Sequence, residues 1–192
     1  MSSIKKYFFC FSPIVYIFAL ISCFSTGFLH GQDATKWQIF SPPGQSFEVF
    51  VPGSMKSGEK KILTDVGYMH PVTWLYQSTD GDPNYLYTVS YVDYPEGTFH
   101  SDSTDLIKEL FDTSIDANIG DLNGQLVYQS EQPYGNHQGV IYRAAYNGNK
   151  AVVKGRMILC NDRFYAIQVF TLSEKSLNPD MDKFLNSFKL KK

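Results

Sequence analysis

The chain is poor in cysteine and carries no excess of positive charge, and each shortage narrows what it can be. Three cysteines occur in 192 residues, and two of them, Cys10 and Cys23, fall within the first 31 positions. The remainder keeps Cys160 alone, so no disulfide can close within it in any redox compartment. Lys and Arg number 17 against 19 Asp and Glu. Setting aside Lys5 and Lys6 leaves 15 against 19, a net of −4, where a nucleic-acid binder shows a basic surplus gathered into a patch. That balance argues against nucleic acid as a partner.

Reaction chemistry is equally sparse. There is no Gly-x-Ser-x-Gly elbow and no phosphate-cradling glycine loop. His70, His100 and His137 each stand beside loop residues, without the His-x-x-x-His or His-x-Glu spacing that zinc asks for. Ser57 and Lys60 have Ser-x-x-Lys spacing but lack the companion Ser-Asp-Asn and Lys-Thr-Gly motifs. Asp80, Asp82 and Asn84 match the first three ligands of a calcium loop. Tyr85 then stands where its glycine belongs and Tyr91 where its glutamate belongs, so a solvated turn is expected. Cys160 ends an apolar run with no histidine beside it in sequence and reads as a small buried hydrophobe. On these grounds the chain is expected not to be an enzyme, with no catalytic residue, metal ligand or cofactor to assign.

What is present begins with the leader. Lys5 and Lys6 precede an almost uncharged apolar run over 7–24, the physical requirement of a secretory signal: cations stay inside while the apolar segment enters the bilayer. Pro13 interrupts the run, which is near the lower length limit for a permanent spanning helix. Leu20, Ile21, Ser22 and Cys23 resemble the lipobox of bacterial lipoproteins, in which the cysteine is acylated and becomes the first mature residue. More than one acyl chain on Cys23 would give a stable membrane anchor. Ordinary cleavage near Gly31 or Gln32 and an uncleaved anchor are the other two readings. The expected organisation is therefore a signal peptide over 1–31, or a lipoprotein signal over 1–22 with Cys23 lipidated. A short linker follows over 32–36, then one domain over 37–192, exported to the periplasm or held at the membrane facing outward.

The domain reads as strands punctuated by turns. Alternation marks 46–51, with Phe47, Val49 and Val51 on one face, and 72–77 and 85–94 as the next long strands. Residues 54–70 are weakly patterned and read as a loop with one short strand around 60–63. A helix is expected after an N-cap at Ser101 or Asp102, with Ile107, Phe111, Ile115 and Ile119 on one stripe and Gly120 as its C-cap. Strands follow over 125–130, 139–146, 151–160 and 164–172. The turns at Asn147-Gly148-Asn149 and Asn161-Asp162 tolerate the positive φ of tight hairpins. Both faces of the last two strands are apolar, so this sheet should be covered on two sides. Asn178 caps a closing helix with Pro179 at its first position, after which 188–190 returns to a sheet edge.

Trp37, Phe47-Glu48-Val49, Pro52-Gly53, the run over 87–95, the stretch 156–165 and Phe184 to Phe188 together resemble the PsbP/Mog/DcrB-like superfamily. The resemblance covers nearly all of 37–190. It implies an α+β fold in a single domain, a central antiparallel β-sheet of about six to eight strands flanked by two main helices as an α/β/α sandwich. Members serve as extrinsic photosystem subunits, as Ran-binding factors or as bacterial envelope lipoproteins, and share no catalytic centre. The lipoprotein branch is the nearest analogy for this leader.

Two surfaces are candidates for binding. Tyr85, Tyr87 and Tyr91 share a strand face with Trp74 and Tyr76 on a neighbouring strand, an aromatic wall for a ligand or partner, or else the layer beneath the 107–119 helix. Lys150, Lys154 and Arg156 share one parity with Arg143 on the preceding strand, a cationic face for an anionic group such as a lipid headgroup. The expected function is that of an exported, membrane-anchored envelope protein acting as a binding or assembly module. Its partners would be the membrane through a lipid anchor and an envelope protein or small ligand. A periplasmic small-ligand or lipid carrier and, behind it, a hydrolase are the alternatives.

Overall fold

A computed structural model describes residues 37–191 apart from 60, 65–66, 79–80 and 101. The processing sites at Cys23 and Gly31, the linker 32–36, and Lys60, Asp80 and Ser101 lie outside the described residues.

Period-two alternation becomes strand throughout. Seven strands form one antiparallel sheet: β3 (Lys56–Glu59), β6 (Val72–Gln77), β7 (Asn84–Asp93), β11 (Arg163–Leu172), β10 (Ala151–Cys160), β9 (Gln138–Tyr146) and β8 (Gln125–Glu131), in that spatial order. Three more, β1 (Gln38–Phe40), β2 (Phe47–Val51) and β12 (Lys189–Leu190), make a small sheet, and β4 (Ile62–Thr64) pairs with β5 (Gly67–Met69). Among the described residues the α-helices are α1 (Thr104–Asp121) and α2 (Pro179–Ser187).

Side chains alternate across the large sheet, and each face builds its own buried layer. On one face Val153, Met157, Phe164, Ala166 and Phe170 meet Ile107, Leu110, Phe111, Ile115 and Ile119 of α1. On the other Ile158, Tyr165, Ile167 and Val169 meet Phe47, Val49 and Val51 of β2, Met181, Phe184 and Leu185 of α2, and Phe188. The expected two-sided coverage is therefore present, but the α/β/α sandwich is not a clean one, because the second face is shared between α2 and the small sheet. Length explains this. Nine residues of α2 span about 14 Å at helical rise, while seven strands spread over about 29 Å. Coverage on this side draws on β6, β7, β10 and β11 and stops short of β9 and β8.

Near the centre of the α1 layer the packing turns polar. The Gln168 amide donates to the Tyr142 hydroxyl (2.6 Å), Asn118 donates to the same oxygen (3.5 Å), and Thr88 donates to Gln168 Oε1 (3.3 Å). All four residues are fully buried. Gly155 pairs with Tyr142 in register, and a Cβ there would stand 2.2 Å from the tyrosine ring, so glycine is what lets that ring lie across the strand.

Local differences from the sequence reading have local causes. Residues 54–70 hold three short strands rather than one. The sequence of β3, Lys-Ser-Gly-Glu, has no apolar alternation to mark it and joins the sheet edge through main-chain pairing with β6. Helix α1 is preceded by Ser103, whose side chain makes no capping bond, rather than by a cap at Asp102. It also runs past Gly120. Asn123 takes the left-handed conformation (φ 48°), its N–H reaching Gly120 O and that of Gly124 reaching Ile119 O, a Schellman ending. Helix α2 starts as read, with Asn178 Oδ1 accepting from Met181 N (3.1 Å).

Candidate functional site

The aromatic candidates separate. Trp74, Tyr87 and Tyr91 are buried core rings: Trp74 lies 5.4 Å from Phe47 and 5.8 Å from Tyr91, and Tyr87 lies 5.2 Å from Phe184. Their cover is α2 and β2, not the 107–119 helix. Tyr76 is half-buried against Tyr87 and fills the space that a side chain at Gly53 would need. Tyr85 leaves the group. The β7–β11 register slips between Phe170 and Thr171, and Tyr85 stands 39% exposed with its ring 6.4 Å from Phe170 of the opposite layer. Burial pushes the Tyr85 hydroxyl up to about 12. These five residues therefore form no open wall.

The turn that resembles a calcium loop is tied inward rather than solvated. Asp82 Oδ1 accepts from Asn84 N and from the Tyr87 hydroxyl, both at 2.8 Å. Burial raises its carboxyl above the usual range, with these two donors opposing. The amides of Asn84 and Asn178 exchange two hydrogen bonds (3.1 and 2.9 Å), so the turn is locked to the start of α2.

The cationic candidates do come together. Lys154 and Arg143 are cross-strand partners on the face that α2 only partly covers, and Arg156 follows two residues along the same face. Lys154 Nζ pairs with Asp182 Oδ1 of α2 at 2.5 Å. Arg143 donates to Ser176 Oγ (2.7 Å) and Arg156 lies 5.3 Å over the Tyr134 ring. The Arg156 Nε is buried with no hydrogen-bond acceptor among the described residues. Lys150 stays out of the cluster, exposed in the turn before β10. Beyond these cations the floor of the face continues into β8, where exposed Tyr128 pairs with Arg143 in register; Val127 is the extra residue of a β-bulge, and exposed Leu126 pairs with Ala144 of the α1 layer.

Sequence reasoning missed one contact. His137 is half-buried, not a loose loop residue, and its Nε2 lies 3.6 Å from Cys160 Sγ. Reciprocal main-chain bonds between Tyr134 and His137 close the β8–β9 loop and carry the imidazole there. Cys160 is thus a half-buried thiol touching an imidazole. Burial pushes that thiol up, and Arg163 only partly opposes it. No local pattern announces a contact across 23 positions. His70 and His100 are exposed and separate. Among the described residues no three His, Cys, Asp or Glu side chains gather to hold a metal ion, and no helix is long and apolar enough to cross a membrane. A surface cleft of about 370 Å³ runs between α1 and β8–β9, lined by Asp105, Lys108, Asp112, Gln129 and Glu131 among others.

Comparison with known proteins matches no family model and no curated sequence. Solved structures do match. The solution structure of cyanobacterial PsbP (CyanoP) from Synechocystis sp. PCC 6803 superposes with a TM-score of 0.53 at 16% identity, covering 85% of this chain and 98% of that one. A protein of unknown function from Pseudomonas aeruginosa, described as a putative regulator, reaches a TM-score of 0.37 at 8% identity over 72% of this chain and 85% of its own. At such identity the likeness to the cyanobacterial protein speaks for the chain path alone, and the fold of this chain is PsbP-like.

Proposed function

We propose that this chain is an exported envelope protein, held at the membrane by acyl chains on Cys23, and that it works as a binding or assembly module. Its contact surface is the part of the large sheet that α2 leaves open, and its partner carries negative charge. One observation supports this above the others: Arg143, Lys154 and Arg156 share that face with a single paired carboxylate, Asp182. The apolar leader and Leu20-Ile21-Ser22-Cys23 supply the location.

The contact between Cys160 and His137 favours a second reading, a thiol hydrolase. Against it, burial favours the resting thiol over the thiolate, and no described side chain hydrogen-bonds the far nitrogen of His137 to orient it. Complementation in the native host separates the two. The double variant Arg143→Glu/Lys154→Glu should fail to restore a deletion strain, and Cys160→Ala should restore it; the reverse result moves the work to the thiol. Cys23→Ser should release the protein from the membrane fraction on the outer side. A variant that stays membrane-bound removes the anchor from this account.

A further inference from the structure

Within the open face, the arrangement of cations is one that a sheet does not adopt for its own stability. Lys154 and Arg143 sit directly opposite each other in register, where Cβ atoms lie about 5 Å apart and like charges repel. Arg156 occupies the diagonal position to Arg143, about 7–8 Å away by sheet geometry. Asp182 answers Lys154, and among the described residues no carboxylate pairs with either guanidinium group. Arg143 makes one bond, to the neutral Ser176 hydroxyl, out of the five donors a guanidinium offers. Arg156 makes none. It is held over Tyr134 through ring contact, and Tyr134 is itself fixed by accepting from Leu190 N (3.2 Å).

We propose that Arg143, Lys154 and Arg156 bind a phosphate group, carried by a lipid headgroup or by a soluble phosphorylated molecule. Two diagonal guanidinium forks present paired donors to an oxyanion, and a phosphate has enough oxygens to meet both while a lone carboxylate satisfies one. The residual charge after Asp182 is +2, which suits a phosphate monoanion or dianion. The tyrosine beneath Arg156 fixes that guanidinium before the ligand arrives, which lowers the ordering cost of binding. Exposed Tyr128, paired with Arg143, adjoins the cations and offers ring contact to whatever carries the phosphate. This inference rests on the open face being the contact surface.

The test uses the full chain in an uncharged detergent, titrated with inorganic phosphate, with dihexanoyl-phosphatidylglycerol and with dihexanoyl-phosphatidylcholine, and read by calorimetry. Saturable binding of phosphate or of the anionic lipid is expected, weakened by added salt. Arg143→Gln and Arg156→Gln should each weaken it about tenfold with the thermal midpoint unchanged, while Lys108→Gln, on α1 across the sheet, should not. Equal binding of inorganic phosphate and lipid indicates a soluble ligand. Lipid binding that phosphate does not displace, and that phosphatidylcholine does not reproduce, indicates a headgroup. If no probe binds while Arg143→Glu/Lys154→Glu still fails complementation, the phosphate is wrong and the contact surface stands. If no probe binds and that variant complements, both are wrong.

Discussion

The layer beneath α1 and the layer beneath α2 are built on the two sides of the same strands, yet different forces hold them. Under α2 the contacts are ring on ring: Phe47, Trp74, Tyr87, Tyr165, Phe184 and Phe188 interlock at centroid distances of 5.2 to 6.0 Å. Under α1 the mainly aliphatic stripe of the helix, with Phe111 as its one ring, surrounds the Asn118–Tyr142–Gln168–Thr88 chain, and the strands there carry Gly155, Ala144 and Ala166 to make room. Bulk and area stabilise one side. The other depends on the buried donors keeping their acceptors, with the Asn118 Oδ1 left unpaired among the described residues.

The sharpest way to break this contrast is to remove bulk from the aromatic side. Phe47→Ala should cost about 3–5 kcal/mol in chemical denaturation, because a fully buried ring touching Trp74, Tyr165 and Phe188 leaves a hole that rigid neighbours cannot fill. A loss under about 1 kcal/mol would mean the layer is loosely packed.

On the polar side a single oxygen is enough. Tyr142→Phe keeps the ring and strands the amides of Gln168 and Asn118, an expected cost of about 1–3 kcal/mol. The same variant carries a pH signature. Burial pushes the Tyr142 hydroxyl from its ordinary 10.0 up to about 12, so the folded chain holds a proton that the unfolded chain has begun to lose. Stability from this group is fully present below pH 10 and disappears as pH climbs toward 12. The gap between wild type and Tyr142→Phe should therefore narrow across that window in denaturation curves. A gap that stays constant would mean Tyr142 is not the buried group titrating.

The smallest expected effect lies where the α2 layer begins. Asn178→Ala removes the N-cap bond to Met181 and the amide pair with Asn84, and should cost about 1 kcal/mol, with helix α2 exchanging its first amides faster in hydrogen-exchange measurements.

Particular residues show why some of this was legible in sequence. Phe47, Val49 and Val51 alternate, Asn147 to Asn149 mark a hairpin, and Asn178-Pro179 marks a helix start, because each is a local preference acting on its own neighbours. Parity placed Trp74, Tyr87 and Tyr91 on one face, but nothing along the strand says which element will cover it, and α2 comes from nearly a hundred residues away. Tyr85 shares their parity and was lost to a register slip that no residue type announces. Edge strand β3 was invisible because no apolar alternation marks a segment that joins the sheet by main-chain pairing with β6. In the candidate site, register brought Arg143 beside Lys154 as the alternation implied, while His137 reached Cys160 through a loop path that only the folded chain defines.

Both tryptophans of the chain, Trp37 and Trp74, belong to the α2 side, Trp37 with the Lys183 ammonium 4.0 Å over its ring. Intrinsic fluorescence is consequently a one-sided reporter. Emission shifts will follow the parting of α2 and the small sheet from the strands, while detachment of α1 passes unseen unless an indole is introduced there, at Phe111 for example. Paired with far-ultraviolet circular dichroism, which registers α1 above all, the native indoles make it measurable whether the two layers come apart together or in turn.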